Sequence, residues 1–257
     1  MSVPELPVLE SGVYCLEPDA TRPRRRRRAL LSSLHALALD AALSAGGDVV
    51  WIDAQGHATT HVMASVAPSG RALERVHVAR AFTTHQHHAL VEQVARWLAL
   101  TLTPASGREG PFGSPATDRP AVLVCPALDA LYRAGELRDD ESQALLVRAL
   151  AVLAAAARDH DLAVLLTRTR TDEFAAPIAD AATTIGLERT RFGPRFECEA
   201  LEFETLVYPV DDGVVQTTFA FWRAILETRH PGIADAGGDD ASRPTSTVPA
   251  GPGAGGG

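Results

Sequence analysis

Asp48–Asp53 reads DVVWID, four apolar residues in a row between two carboxylates. Val, Trp and Ile favour strands, and a run with no polar alternation suits a strand buried on both faces. Such strands belong to parallel sheets with helices above and below. Asp48 and Asp53 bound the run with carboxylates at its two ends.

Similar runs recur on either side of this stretch. Gly12–Leu16 (GVYCL), Val76–Ala81 (VHVARA), Ala121–Cys125 (AVLVC) and Leu162–Thr167 (LAVLLT) read as further strands. Helical periods separate them. Ala29–Leu43 carries Leu30, Leu34, Leu37 and Ala41 on one face, and Gly46–Gly47 stops it. Ala72–Glu74 ends a short helix, and His87–Leu102 repeats Leu90, Val91, Val94 and Leu98. Glu141–Ala157 is a long Ala/Leu helix, with Asp139–Glu141 as its acidic start. Strands alternating with helices predict an α/β domain with a mostly parallel sheet. Ala182–Glu188, Arg195–Phe203 and Val214–Phe221 are expected as late strands that extend the sheet antiparallel. The predicted organisation is an irregular arm over 1–11, a core domain over 12–228 and a disordered Gly/Pro/Asp-rich tail over 229–257. Thr103–Arg119, rich in Pro, Gly and Ser, reads as a flexible loop.

Composition narrows the chemistry. All 24 basic residues are Arg, against 32 acidic ones, for a net charge of −8. With no Lys, neither a P-loop Lys, a Schiff base nor a Lys general base is available. Arg without Lys, together with abundant Ala, fits a GC-rich genome. Cys15, Cys125 and Cys198 are far apart in apolar contexts, so they read as small buried hydrophobes rather than metal ligands. Met1–Glu10 lacks the cationic and apolar pattern of a signal peptide, and no apolar run reaches membrane-spanning length. A cytoplasmic protein with no membrane partner is expected.

Four stretches, in order, resemble the core of the RecA/RadA recombinase superfamily, the archaeal RadA-like branch above all. Val49–Gly56 (VVWIDAQG) is similar to the strand that ends in an Asp-Thr-Glu-Gly type motif. Val76–Gln86 (VHVARAFTTHQ) resembles the Val-Ala-Arg-Ala-Phe-Asn segment with its following His-Gln. Ala121–Arg133 (AVLVCPALDALYR) resembles the Walker B strand and its continuation, and Ala179–Leu187 (ADAATTIGL) a later strand. Together they span roughly residues 12–222. The resemblance implies a RecA-like P-loop NTPase fold and a process in DNA recombination and repair.

The same resemblance exposes three losses. The interval that should hold a Gly-rich phosphate loop is Glu17–Ala29, EPDATRPRRRRRA, with no Gly and no Lys. Glycine supplies the close backbone approach to phosphate, and Pro18 and Pro23 remove two N–H donors. Gln55 stands at the position of the catalytic glutamate, and an amide cannot take a proton from water as a carboxylate does. Pro126 stands at the Walker B aspartate; Asp129, three residues on, is its one substitute nearby. The degenerate Walker motifs imply a pseudo-ATPase, not an enzyme, with no catalytic residue, no metal and no cofactor. The second DNA-binding loop of the family would fall at Arg168–Ile178, a much shorter interval. No DNA-binding domain precedes Gly12, so filament formation on DNA is not expected.

Arg24, Arg25, Arg26, Arg27 and Arg28 form the densest charge cluster. Cations at a helix N-terminus oppose the macrodipole. The run is therefore a candidate contact for phosphate, nucleic acid or an acidic protein partner, or else a solvated basic turn. A RecA/RadA-type recombinase or a second copy of the chain are the implied partners, with DNA reached through the Arg run. His57, His61, His85, His87 and His88 define no common ligand face. Arg133, Arg168 and Arg170 lie near strand ends, where residual nucleotide binding competes with plain ion pairing. The rival functions are a divergent ATPase with a rewired phosphate site, using Asp53 or Asp129 for the metal, and an interaction module outside DNA metabolism.

Overall fold

The structure, a computed structural model, describes residues 6–18, 23–54, 56–101, 120–135, 137–190, 193–205 and 218–234. Among these, eight strands form one sheet: β1 (Gly12–Pro18), β2 (Asp48–Ala54), β3 (Val76–Ala81), β4 (Pro120–Cys125), β5 (Ala163–Leu166), β6 (Thr183–Thr190), β7 (Gly193–Cys198) and β8 (Phe203–Glu204). Their order is β3-β2-β4-β5-β1-β6-β7-β8. Every pairing from β3 to β6 is parallel, and β7 and β8 add on antiparallel.

The helices are α1 (Pro23–Ala45), α2 (Thr60–Val66), α3 (Gly70–Glu74), α4 (Thr84–Thr101), α5 (Asp139–His160), α6 (Ala176–Ala181), α7 (Thr218–Arg229) and α8 (Pro231–Ala234). Side chains alternate across the strands and so divide the core in two. Val49 and Trp51 of β2 join Leu34, Leu37 and Leu226 on the layer of α1, α2 and α7. Val50 and Ile52 join Val94, Leu146 and Ile178 on the layer of α4, α5 and α6. All seven residues of β2 are buried, as its unbroken apolar run requires.

Several boundaries differ from expectation for identifiable reasons. Helix α1 starts at Pro23 rather than Ala29 and takes Arg24–Arg28 into its first turns. Proline suits the first helical position, and Arg is a good helix former. Its other end closes as predicted, in a Schellman arrangement: Gly46 at φ +66°, Gly46 N to Leu43 O and Gly47 N to Ala42 O. Helix α4 starts at Thr84 rather than His87 and so takes in His85, and His61 lies in α2.

Of the late strands, Ala182–Glu188 becomes β6, but it pairs with β1 in parallel. Arg195–Phe203 divides into β7 and β8 around a 3-10 turn at Glu199–Leu201. The strand expected at Val214–Phe221 is overturned from Thr218 onward, where α7 begins. Trp222, Ile225 and Leu226 face the core at helical spacing, so its period is nearer 3.6 than 2. Residues 214–217 and the loop Thr103–Arg119 lie outside the described residues.

The two ends of the described chain are tied to the core. Leu6 is buried, and Ser11 Oγ donates to the Ala157 carbonyl. Asp40 of α1, 4% exposed, accepts from Arg229 Nε at 2.7 Å, Arg229 Nη2 at 3.0 Å and His230 Nε2 at 2.8 Å. This ion cluster fixes the end of α7 and the start of α8 against α1.

Candidate functional site: the carboxyl edge of the sheet

The parallel strands point the same way, so β1, β2, β3, β4 and β5 all end on one edge of the sheet. β1 leads to β2 on one side of the sheet, and β5 leads past it to β6 on the other. The crevice beside such a reversal is where open α/β sheets offer a ligand site.

Asp53 is the penultimate residue of β2 and has no solvent exposure. Its Oδ1 accepts from the His57 backbone N–H at 2.8 Å, and its Oδ2 accepts from Arg80 Nε at 2.9 Å. Arg80, from neighbouring β3, also donates through Nη2 to the Ala58 carbonyl. The His57 ring closes back through Nδ1 onto the Ala54 carbonyl at 2.6 Å. Both oxygens of Asp53 are thus engaged in holding the turn that follows β2. Gln55, within that turn, lies outside the described residues.

Asp129 follows β4 and is likewise fully buried. Its Oδ1 accepts from the Thr169 N–H at 2.7 Å; its Oδ2 accepts from the Thr169 hydroxyl at 2.6 Å and from Arg133 Nε at 2.5 Å. Arg133 continues to Asp172 through Nη1 at 3.0 Å and Nη2 at 2.5 Å, with its guanidinium 4.5 Å above the Phe174 ring. Burial works against the Arg133 charge, but the bonds to Asp172 and Asp129 outweigh it and hold the cation more firmly than usual. Arg133 in turn holds the Asp172 carboxyl below the ordinary range.

The turn between β4 and Asp129 is itself bent. Pro126 is buried and Ala127 has φ +49°, a left-handed conformation that costs a non-glycine residue about 1 kcal/mol. Three bonds hold it: Ala127 N–H to Thr167 Oγ1 at 2.7 Å, Leu128 N–H to the Thr167 carbonyl, and Thr167 N–H to the Cys125 carbonyl.

At the end of β1, Arg168 Nη2 lies 2.5 Å from Glu17 Oε1. The Cys15 thiol beneath is pushed up to about 12, by burial first and by the Glu17 charge next. Cys125 is pushed to about 12 by burial alone. All three cysteines are buried and free, as their apolar contexts predict.

The Arg24–Arg28 run lies at the start of the helix that follows β1, beside this same edge; only its backbone falls within the described residues. Arg133 and Arg168 face carboxylates rather than open solvent, which favours the ion-pairing alternative for them. Sequence reasoning missed Arg80, Thr167 and Thr169. A hydroxyl after a strand carries no signal until the neighbouring strand supplies its partner.

The histidines are scattered. His87 is fully buried, its Nδ1 hydrogen-bonded to the Tyr132 hydroxyl at 3.0 Å, and burial lowers it to about 4. His35 stacks on Trp51 with ring centroids 4.5 Å apart and is lowered to about 4, again by burial. Among the described residues no group of three His, Cys, Asp or Glu is placed to hold a metal ion, and no helix is long and apolar enough to cross a membrane. A pocket of about 710 Å³ opens on the opposite, amino-terminal edge, between Glu10, Gly46, Gly47, Pro120 and Asp161. None of the candidate residues lines it. No protein-family model matches the chain, and no curated protein matches it at a significant level.

Proposed function

We propose that the chain is a non-catalytic RecA/RadA-like paralogue, an accessory or regulatory protein in DNA recombination and repair. It works by binding a catalytic RecA/RadA-type recombinase and not by hydrolysing ATP. The observation that carries this reading is the engagement of Asp53 and Asp129. Each is fully buried, and each has both oxygens occupied by protein donors. A carboxylate that serves Mg²⁺ or an attacking water needs a free oxygen facing the ligand. Pro126, directly after β4, offers none. The mostly parallel sheet with antiparallel late strands is compatible with a RecA-like core.

The decisive measurement is calorimetry with Mg²⁺ and ATP, followed by capture of a purified RecA/RadA-type recombinase on the immobilised chain. Absence of ATP binding at millimolar nucleotide, together with recombinase capture, is expected. ATP binding that disappears on changing Arg27 and Arg28 to Ala would instead establish a divergent ATPase with a rebuilt phosphate site. One observation favours that second reading: the Arg run sits at the start of the helix after β1, beside the carboxyl edge.

A further inference from the structure

The pocket of about 710 Å³ on the amino-terminal edge of the sheet is walled by four segments. Glu10 and Ser11 lead into β1, Gly46 and Gly47 follow α1, Pro120 opens β4, and Asp161 joins α5 to β5. Its volume falls within the roughly 300–1,000 Å³ of small-ligand sites. The wall is fixed by hydrogen bonds. Ser11 Oγ donates to the Ala157 carbonyl at 2.9 Å, Gly12 N–H to the Leu162 carbonyl at 3.3 Å, and the Glu10 backbone is bonded to the Tyr14 hydroxyl. The cavity is therefore shaped before any ligand arrives. Every ionisable side chain in the described wall, Glu10 and Asp161, is acidic. Helices α1 and α5 both end here and present the negative ends of their dipoles. α1 has no basic residue in its last turn, and Arg158 and His160 of the last turn of α5 are not part of the wall. Directly after Gly47, Asp48 is 3% exposed. His77 Nε2 holds its Oδ2 at 3.0 Å, but its Oδ1 has no hydrogen-bond partner, and Arg75 Nη1 stands 3.9 Å away. That buried carboxylate adds to the negative potential behind the wall.

We propose that this pocket binds a linear polyamine, with ammonium groups on Glu10 and Asp161 and methylenes against Leu9, Ala41 and Leu162. An ammonium donates three N–H bonds and accepts scattered partners, whereas a hard metal ion needs several oxygens that converge on one point. Among the described residues no group of three His, Cys, Asp or Glu is placed to do that. Carboxylates separated by apolar wall match a chain of charged ends and apolar middle. The site lies on the edge of the sheet opposite Asp53 and Asp129, so it is independent of the function proposed from those two residues.

The test is titration of the full chain with spermidine, read by calorimetry at low salt, where screening is least. The native chain should bind, and Glu10→Gln/Asp161→Asn should weaken binding roughly tenfold or more by removing two charge-assisted contacts. Asn tolerates the left-handed conformation at Asp161, φ +52°, so this variant keeps the turn. Glu92→Gln/Glu199→Gln removes two exposed carboxylates elsewhere and should bind as the native chain does. Equal weakening in both pairs would reduce the effect to the general attraction of a chain of net charge −8 and overturn the proposal. Ala45→Trp crowds the pocket without changing its charge and should also lose binding. It decides the matter if a melting curve shows the first variant unfolded, and binding retained by folded Ala45→Trp would then count against the site. No binding by the native chain at millimolar spermidine, or Mg²⁺ bound at the same two carboxylates in its place, would overturn the proposal. ATP binding or recombinase capture bears only on the function proposed above and leaves this outcome unaffected.

Discussion

Thr169 places its backbone nitrogen 2.7 Å and its hydroxyl 2.6 Å from the two carboxylate oxygens of Asp129. The segment after β5 is thereby fastened to the turn after β4. Arg133 extends the same fastening to Asp172. Removing the shared acceptor strands an Arg and two Thr donors in a buried place. Asp129→Ala is expected to cost about 3 kcal/mol, and Thr169→Val about 1 kcal/mol. Urea unfolding of both variants checks the order. Equal costs would mean that Asp129 does not organise the segment.

Arg80 and Asp53 form the corresponding pair between β2 and β3. Asp53 has no exposure, whereas the Arg80 side chain is 41% exposed. The Coulomb gain is therefore partly screened, and loss of Arg80 hurts mainly by leaving a buried carboxylate with one donor. Arg80→Ala should destabilise by about 2 kcal/mol. Combined with Asp53→Asn, the total should fall well short of the sum of the two single changes. Additive costs in that double-mutant cycle would contradict the pairing.

Acid should weaken the fold through two histidines. His35 and His87 are both lowered to about 4 from the ordinary histidine value of 6.5, chiefly by burial. Below pH 6.5 the unfolded chain takes up protons that the folded one refuses. Stability is therefore present above that pH and is lost as pH falls towards 4, on the order of 3 kcal/mol for each residue. His87→Phe should flatten the decline between pH 6.5 and 4 in chemical melts. An unchanged slope would show that His87 is protonated in the folded state.

Ala127 offers a gain. Its φ of +49° suits glycine better than alanine, and its N–H bond to Thr167 does not depend on a side chain. Ala127→Gly should raise stability by about 0.5–1 kcal/mol, offset in part by the extra freedom of the unfolded chain. A fall in melting temperature would mean that the methyl, 5% exposed, contributes more by packing than the backbone loses by strain.

Much of the layered architecture was legible in short runs. DVVWID and AVLVC are apolar on both faces, and only a covered parallel strand accommodates that. Gly46 marked a helix end because the left-handed conformation there favours glycine. The late region was less legible. Phe221 and Trp222 suit either a strand or a helix locally, and packing of Trp222 against Phe196 of β7 accompanies the helix. The start of α1 was misplaced because five arginines carry no amphipathic period, although Pro23 was there to signal it.

The residues alone determined that the sequence has no Lys, no glycine between β1 and α1, and a proline, Pro126, directly after β4. Those facts follow from covalent structure and need no fold. What Asp53, Asp129 and Glu17 do was decided only by tertiary structure. Their partners Arg80, Thr169 and Arg168 come from β3 and from the segment after β5, 27, 40 and 151 positions away in the chain. A carboxylate at a strand end reads the same in sequence whether it faces a ligand or an arginine. Sheet order sets the difference, because it selects which strand end supplies the neighbouring donor.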